Sequence, residues 1–342
     1  MNRRIAVDCM GADLGPLPLV AGAVSYLKLP ANQGDSIVLV GDEAVLKEHL
    51  AALGVNGNLP ITVAHAPEVV DMATFASDAA RRKNTSIAIA IKMHKDGVVD
   101  AVVSAGNTGA VMATAMFTLG RIPGVIRPAI AASFPNKHET ATLIVDVGAN
   151  VDVKPDNLFQ FAQMGASYAE DIMKIRSPKV GLLSIGEEPT KGNELVLATH
   201  DMLRNGAFNF IGNVEGRDVL DGKCDVVVCD GFIGNILLKF AESVKVFLEW
   251  RIRKQTSSNY FSKAGAILMG PFLRRMRRAF DYSEVGGAPL LGLNGNVVIG
   301  HGKSSEKAIM NAIKAAAEMI STHVTGHIQK SIEISSGKAV EQ

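Results

Sequence analysis

Cysteine is scarce in this chain. Cys9, Cys224 and Cys229 are the only three in 342 residues; they form no CxxC pair, and their odd number leaves one over from any disulfide pairing. A reducing cytosol is the expected compartment, with the thiols as small core residues in or beside apolar strand patterns. A surplus of one charge is lacking too. Lys and Arg number 35 against 34 acidic residues, a net charge of +1, so no global attraction to nucleic acid is expected. No uncharged apolar run reaches the ~18 residues that suggest a membrane span. The basic start, Met1 to Ala6, passes straight into Ile5-Ala6-Val7-Asp8 without the apolar core of an export signal. A cytoplasmic protein is expected, able to touch a membrane surface without crossing it.

Motifs that would supply a nucleophile or a zinc site are also missing: there is no GxSxG elbow, HExxH pair or P-loop. What is present is alternation. Short Val-, Ile- and Leu-rich runs are followed by Gly, Asn or Asp clusters and then by longer segments of helical period. Strands are expected near 4–8, 36–40, 61–64, 100–104, 129–134, 141–147, 179–185, 208–211, 225–229 and 296–300. Helices are expected near 42–53, 76–95, 107–119, 155–174, 191–205, 231–250 and 304–323. The pattern predicts an α/β fold, a largely parallel sheet with helices on both faces. It reads as a single domain over 1–330 with a polar tail, 331–342, and fraying is expected from about Gly326.

Open sheets of this kind bind ligands outside the carboxyl ends of their strands, and four such ends stand out. After Ala101-Val102-Val103-Ser104, the turn Gly106-Asn107-Thr108-Gly109 opens a helix. It reads equally as a phosphate cradle of free N–H groups or as tight helix-to-sheet packing. Asp146 closes a second apolar run, with Asn150 just beyond it. A third run ends at Ser184 and leads through Thr190 and Lys191 to Asn193; Thr190 is the expected N-cap, which puts Lys191 in a first helical turn where the dipole disfavours a cation unless it binds an anion. The fourth run leads through Asp230 and Gly231 to Asn235 and Lys239, one turn apart on a helix. Asp230 is readable as an N-cap or as a catalytic part. Among scattered histidines His301 alone sits at a strand end, between Gly300 and Gly302.

One segment is unbalanced in charge. Residues 251–280 carry Arg251, Arg253, Lys254, Lys263, Arg274, Arg275, Arg277 and Arg278 and no acid. From Pro271, helical period places Phe272, Leu273, Met276, Ala279 and Phe280 on one arc with the four nearby arginines opposite, and Leu268 lies in an apolar tip just upstream. Read as a basic amphipathic hairpin, it has three uses open to it: packing on a second copy, docking an acidic carrier protein, or reversible contact with an anionic bilayer.

The ordered strings VDCMGADLGP, LVGDE, VSAGNTGAVMATA, DVGANVDVKP, IGEEPTKGNEL, NFIGNVEGRD, DGFIGNILLK and GGAPLLGLNGNVVIGHGKS together resemble the acyl-acyl carrier protein:phosphate acyltransferases of bacterial phospholipid synthesis. The chain departs from that pattern at Cys9, Ala12 and Ser184, where Ala, Gly and Asn are usual. The resemblance implies a fold similar to phosphate acetyltransferases and isopropylmalate-type dehydrogenases, a homodimer, no cofactor and no metal. It also implies acyl carrier protein and inorganic phosphate as substrates and a membrane glycerol-3-phosphate acyltransferase as consumer. On both readings phosphate attacks the thioester directly, so position and charge stabilisation suffice. Lys191, Asn193 and Asn235 are the expected catalytic residues and Asn107, Thr108, Gly109 and Asn150 the phosphate ligands. Asp8, Asp146, Asp230, Lys239 and His301 are expected in support. Two rivals remain at this point: a hydroxy-acid dehydrogenase, and a non-catalytic scaffold at a membrane surface.

Overall fold

The computed structural model describes residues 2–256, 268–270, 272 and 286–338. In chain order the elements are β1 Arg4–Asp8, α1 Leu17–Leu27, β2 Ser36–Gly41, α2 Glu43–Ala52, β3 Ile61–His65, α3 Ala76–Ala79, α4 Ser86–Lys95, β4 Ala101–Ser104, α5 Thr108–Leu119, β5 Ala129–Pro135 and β6 Ala141–Val145. They continue with α6 Pro155–Asp171, β7 Lys179–Leu183, α7 Glu194–Arg204, β8 Asn209–Val214, α8 Gly216–Asp221, β9 Val226–Val228, α9 Gly231–Thr256, β10 Ala288–Leu291, β11 Val297–Ile299, α10 Glu306–Thr322 and α11 Val324–Lys338. Polar side chains start several of the helices: Asp42, Thr85, Asn107, Asn193 and Ser305 each accept a hydrogen bond from a first-turn N–H.

All eleven strands form one sheet in the order β3-β2-β1-β4-β11-β10-β5-β6-β9-β7-β8. It is built from two parallel blocks. β3, β2, β1, β4 and β11 run one way; β10 is antiparallel to β11 and to β5, and β5 is antiparallel to β6. The second block, β6, β9, β7 and β8, is parallel within itself and runs against the first. Strands such as Val226–Val228 are wholly buried, as a sheet covered on both faces requires. Helix packing is close: a Cβ at Gly22 of α1 would stand 2.7 Å from the Ile309 Cβ of α10.

Several expectations are corrected. The segment 76–95 is two helices, because Thr85 caps a new start for α4. The strand β10, with α1 and α8, was not anticipated, and the expected fraying from Gly326 gives way to α11, whose Val324, Ile328 and Ile332 recur every fourth residue and are buried in the core. That spacing is an apolar helical stripe.

Candidate active site

The expected site residues fall into two groups. Asn107, Thr108, Gly109, Asp8 and His301 stand at the carboxyl ends of the first block, and Asp146, Asn150, Lys191, Asn193, Asp230 and Asn235 beyond those of the second. Because the blocks run oppositely, these ends leave from opposite edges of the sheet.

In the first group, Asp8 is buried and accepts from the Ser104 hydroxyl at 2.6 Å, with a longer contact to Met10 N at 3.4 Å and a further bond from Ser86. Burial pushes its carboxyl above the ordinary range, and these donors oppose the shift. The loops after β1 and β4 touch backbone to backbone, since a Cβ at Gly11 would lie 2.9 Å from the Gly106 Cα. Asn107 is committed within the fold: its Oδ1 accepts from Ala110 N at 3.0 Å, and its Nδ2 donates to the Met72 carbonyl at 2.8 Å and the Thr74 carbonyl at 3.0 Å. The cavity beneath this turn is about 10 Å³, room for about one water and not for phosphate. His301 Nδ1 accepts from Lys303 N at 3.1 Å, which turns the ring onto its own loop.

The second group is organised by Asp146. Its Oδ1 accepts from Ile130 N at 3.0 Å, Gly148 N at 3.2 Å and Ala149 N at 3.0 Å, and its Oδ2 from Asn150 N at 2.7 Å and Asn150 Nδ2 at 2.9 Å. Burial raises this carboxyl too, while those donors pull it back. Asn150, expected as a phosphate ligand, spends its amide on Asp146 and on the Pro128 carbonyl at 2.7 Å. The start of α9 packs onto this loop so closely that a Cβ at Gly234 would lie 1.9 Å from the Asp146 carbonyl oxygen. Asp230 caps α9, accepting from Ile233 N at 2.9 Å. Asn235 then lies against Gly148, whose φ of +134° suits glycine. Its side-chain amide is exposed and has no partner among the described residues.

The Lys191 loop follows β7 in the same parallel block. Asn193, not Thr190, is the N-cap of α7, accepting from Val196 N at 3.0 Å, so Lys191 stands before the helix and the argument from an unfavourable helix position falls away. Lys191 is exposed and its ammonium has no partner among the described residues. Lys239 differs: it pairs with Glu242 at 3.0 Å on its own helix, which engages the ammonium expected to join Asn235. Two residues given no role from sequence, Ser184 and Asn213, contact the Lys191 backbone.

The three cysteines are buried. Burial pushes the Cys224 thiol up to about 12 and those of Cys9 and Cys229 well above their ordinary value, so none is a ready nucleophile. Among the described residues no cluster of three or more His, Cys, Asp or Glu is placed to hold a metal ion, and no helix is long and apolar enough to cross a membrane.

Beyond Asn235, α9 exposes Phe240, Val246, Phe247 and Trp250, and with α8 and the end of β5 it borders an apolar groove of about 490 Å³. Leu268 and Phe272 are 82% and 60% exposed. Leu273, Arg274, Arg275, Met276, Arg277 and Arg278 lie outside the described residues.

A family described as "Fatty acid synthesis protein" matches residues 3–327. A protein of Pelotomaculum thermopropionicum named phosphate acyltransferase is 46% identical, over 96% of this chain and 95% of its own length. One of Aquifex aeolicus with the same name is 44% identical, over 93% and 94%. Among solved structures, a phosphotransacetylase from Staphylococcus aureus superposes with a TM-score of 0.61 at 17% identity, covering 93% of this chain and 94% of that one. A 4-hydroxythreonine-4-phosphate dehydrogenase from Klebsiella pneumoniae gives 0.54 at 14% identity, covering 94% and 98%. At such identities the likeness is one of fold, and it is the fold expected from the sequence.

Proposed function

The chain belongs to the phosphate acyltransferase family, and from that premise we propose that it transfers the acyl group of an acyl-acyl carrier protein to inorganic phosphate, supplying acyl phosphate for acylation of glycerol 3-phosphate. One observation carries the reading: an unpartnered Lys191 ammonium and an unpartnered Asn235 amide stand beyond the strand ends of one parallel block, Asn235 against the loop fixed by Asp146. A phosphate oxygen attacks the thioester carbon and forms a C–O bond. The tetrahedral oxyanion then collapses, the C–S bond breaks, and the thiolate leaves to take a proton from water. Phosphate is already ionised, so the protein's part is to hold charge in position. Lys191 meets the phosphate, Asn235 the phosphate or oxyanion, and Asn193 orders the helix start beside them. Buried thiols and direct attack agree: no acyl-enzyme is needed.

The exposed apolar residues of α9, with Leu268 and Phe272, support a homodimer in the cytoplasm that reversibly touches an anionic membrane surface, where a membrane acyltransferase consumes the product. The reaction is tested with palmitoyl-acyl carrier protein and phosphate, trapping acyl phosphate as hydroxamate. Lys191→Met and Asn235→Ala are expected to lower kcat/KM for phosphate about ten- to a hundred-fold, as loss of a charge-assisted contact implies, with the melting temperature unchanged. Wild-type kinetics for Lys191→Met at limiting phosphate would remove that lysine from the mechanism.

A further inference from the structure

We propose that Asn213 is a positioning residue for this reaction, clamping with Ser184 the main-chain carbonyl of Lys191 and so setting where the Lys191 ammonium stands; the proposal rests on the reading of Lys191 given above. Ser184 Oγ donates to the Lys191 carbonyl at 3.1 Å. Asn213 Nδ2 donates to the same carbonyl at 3.3 Å and to that of Glu188 at 2.9 Å. The two ends of the turn that carries Lys191 are thereby tied to the ends of two neighbouring strands, β7 and β8. Its stem is confined as well, since a Cβ at Gly186 would lie 2.9 Å from the Lys191 Cγ.

The sheet is locally irregular where it delivers Asn213. Val180 pairs with Phe210 but Leu182 with Asn213, so β8 holds one more residue than β7 across this interval. The extra residue falls at Gly212, whose φ is +99°. A bulge of this kind re-aims the side chain that follows it. Asn213 is 3% exposed, and its Oδ1 is buried without a partner. Leaving an acceptor unpaired in the interior is costly, and an apolar side chain would fill the place without that cost. What asparagine adds is the pair of donors on the Lys191 loop. With the carbonyl held, only the side-chain torsions of Lys191 remain to be ordered when phosphate arrives.

A double-mutant cycle decides the matter. Asn213→Ala, Lys191→Met and the pair are compared by kcat and KM for phosphate, with melting temperatures taken alongside. If the clamp works through Lys191, Asn213→Ala alone lowers kcat/KM about five- to ten-fold, the loss of one hydrogen bond's worth of positioning, and in the Lys191→Met background costs less than about two-fold. Asn213→Asp, which keeps the shape and loses the donors, should match the alanine variant. Ser184→Ala, at a partly buried side chain, should show the same dependence on Lys191, and Ser184→Thr, which keeps the hydroxyl, should retain activity; these two decide the question if Asn213→Ala does not fold. Equal losses in both backgrounds would overturn the clamp and leave Asn213 a packing residue. So would wild-type kinetics of Asn213→Ala beside an impaired Lys191→Met. A silent Lys191→Met overturns the reading of Lys191 itself, and the clamp with it.

Discussion

Asp8 and Asp146 invite comparison because the sequence presents them alike, each closing an apolar strand, and the fold buries both. Their surroundings differ. Asp146 receives four main-chain N–H groups and one side-chain amide; Asp8 receives chiefly one short hydroxyl bond from Ser104, with Ser86 and a distant Met10 N in support. A carboxylate ringed by N–H groups is part of the scaffold. One held by hydroxyls in a dry interior is a charge poorly compensated, and burial raises its carboxyl above the ordinary range.

The largest effect that could break this contrast is on stability. Asp146→Ala leaves five donors without their acceptor, and we expect a loss of about 3–5 kcal/mol in denaturant unfolding; a variant within about 1 kcal/mol of the parent would show that the loop does not depend on its aspartate. Asp8→Asn is expected to cost less, about 1–2 kcal/mol near pH 4, because an amide can still meet Ser104 and Ser86. Its sharper signature is pH dependence. The folded Asp8 carboxyl is raised above its unfolded value, so its contribution to stability is fully present below about pH 3.9 and is lost as pH rises through the folded value. The asparagine variant has no such loss, and the difference in melting temperature between it and the parent should shrink from pH 4 toward pH 7. A difference constant with pH would mean that Asp8 does not bind its proton more tightly when folded. The smallest effect concerns the adjacent thiols. Cys9 follows Asp8, and Cys229 donates to the Asp146 carbonyl; both are held protonated by burial, so Cys9→Ala and Cys229→Ala should each keep turnover within about two-fold, and alkylating reagents should leave the native enzyme active.

The sequence located most strands within a residue or two, since runs such as Val226-Val227-Val228 are apolar for a physical reason: both faces of the sheet are covered. It did not reveal β10, where Gly286, Gly287 and Pro289 look like a turn, nor the place where the largely parallel sheet reverses. Direction comes from pairing partners far apart in the chain, and the reversal at β10 and β5 separated the Asn107 turn from Lys191 although both sit at strand ends. Asn150 and Asn107 were legible as polar groups near a site, but not that their amides were already spent on carbonyls. Asn213 carried no signal because its inward aim depends on a bulge, which exists only once β7 and β8 are paired.

The exposed face of α9 also gives the protein a built-in optical probe. Trp250 is the single tryptophan of the chain, half exposed on that helix and 5.9 Å from the Phe247 ring. Its emission should be that of a wet indole while the helix is bare, and it should move to the blue when a second chain or a lipid surface covers it. Binding of phosphate near Lys191, on another part of the chain, should leave that signal unchanged, so association and catalysis can be followed in one cuvette by two independent readings.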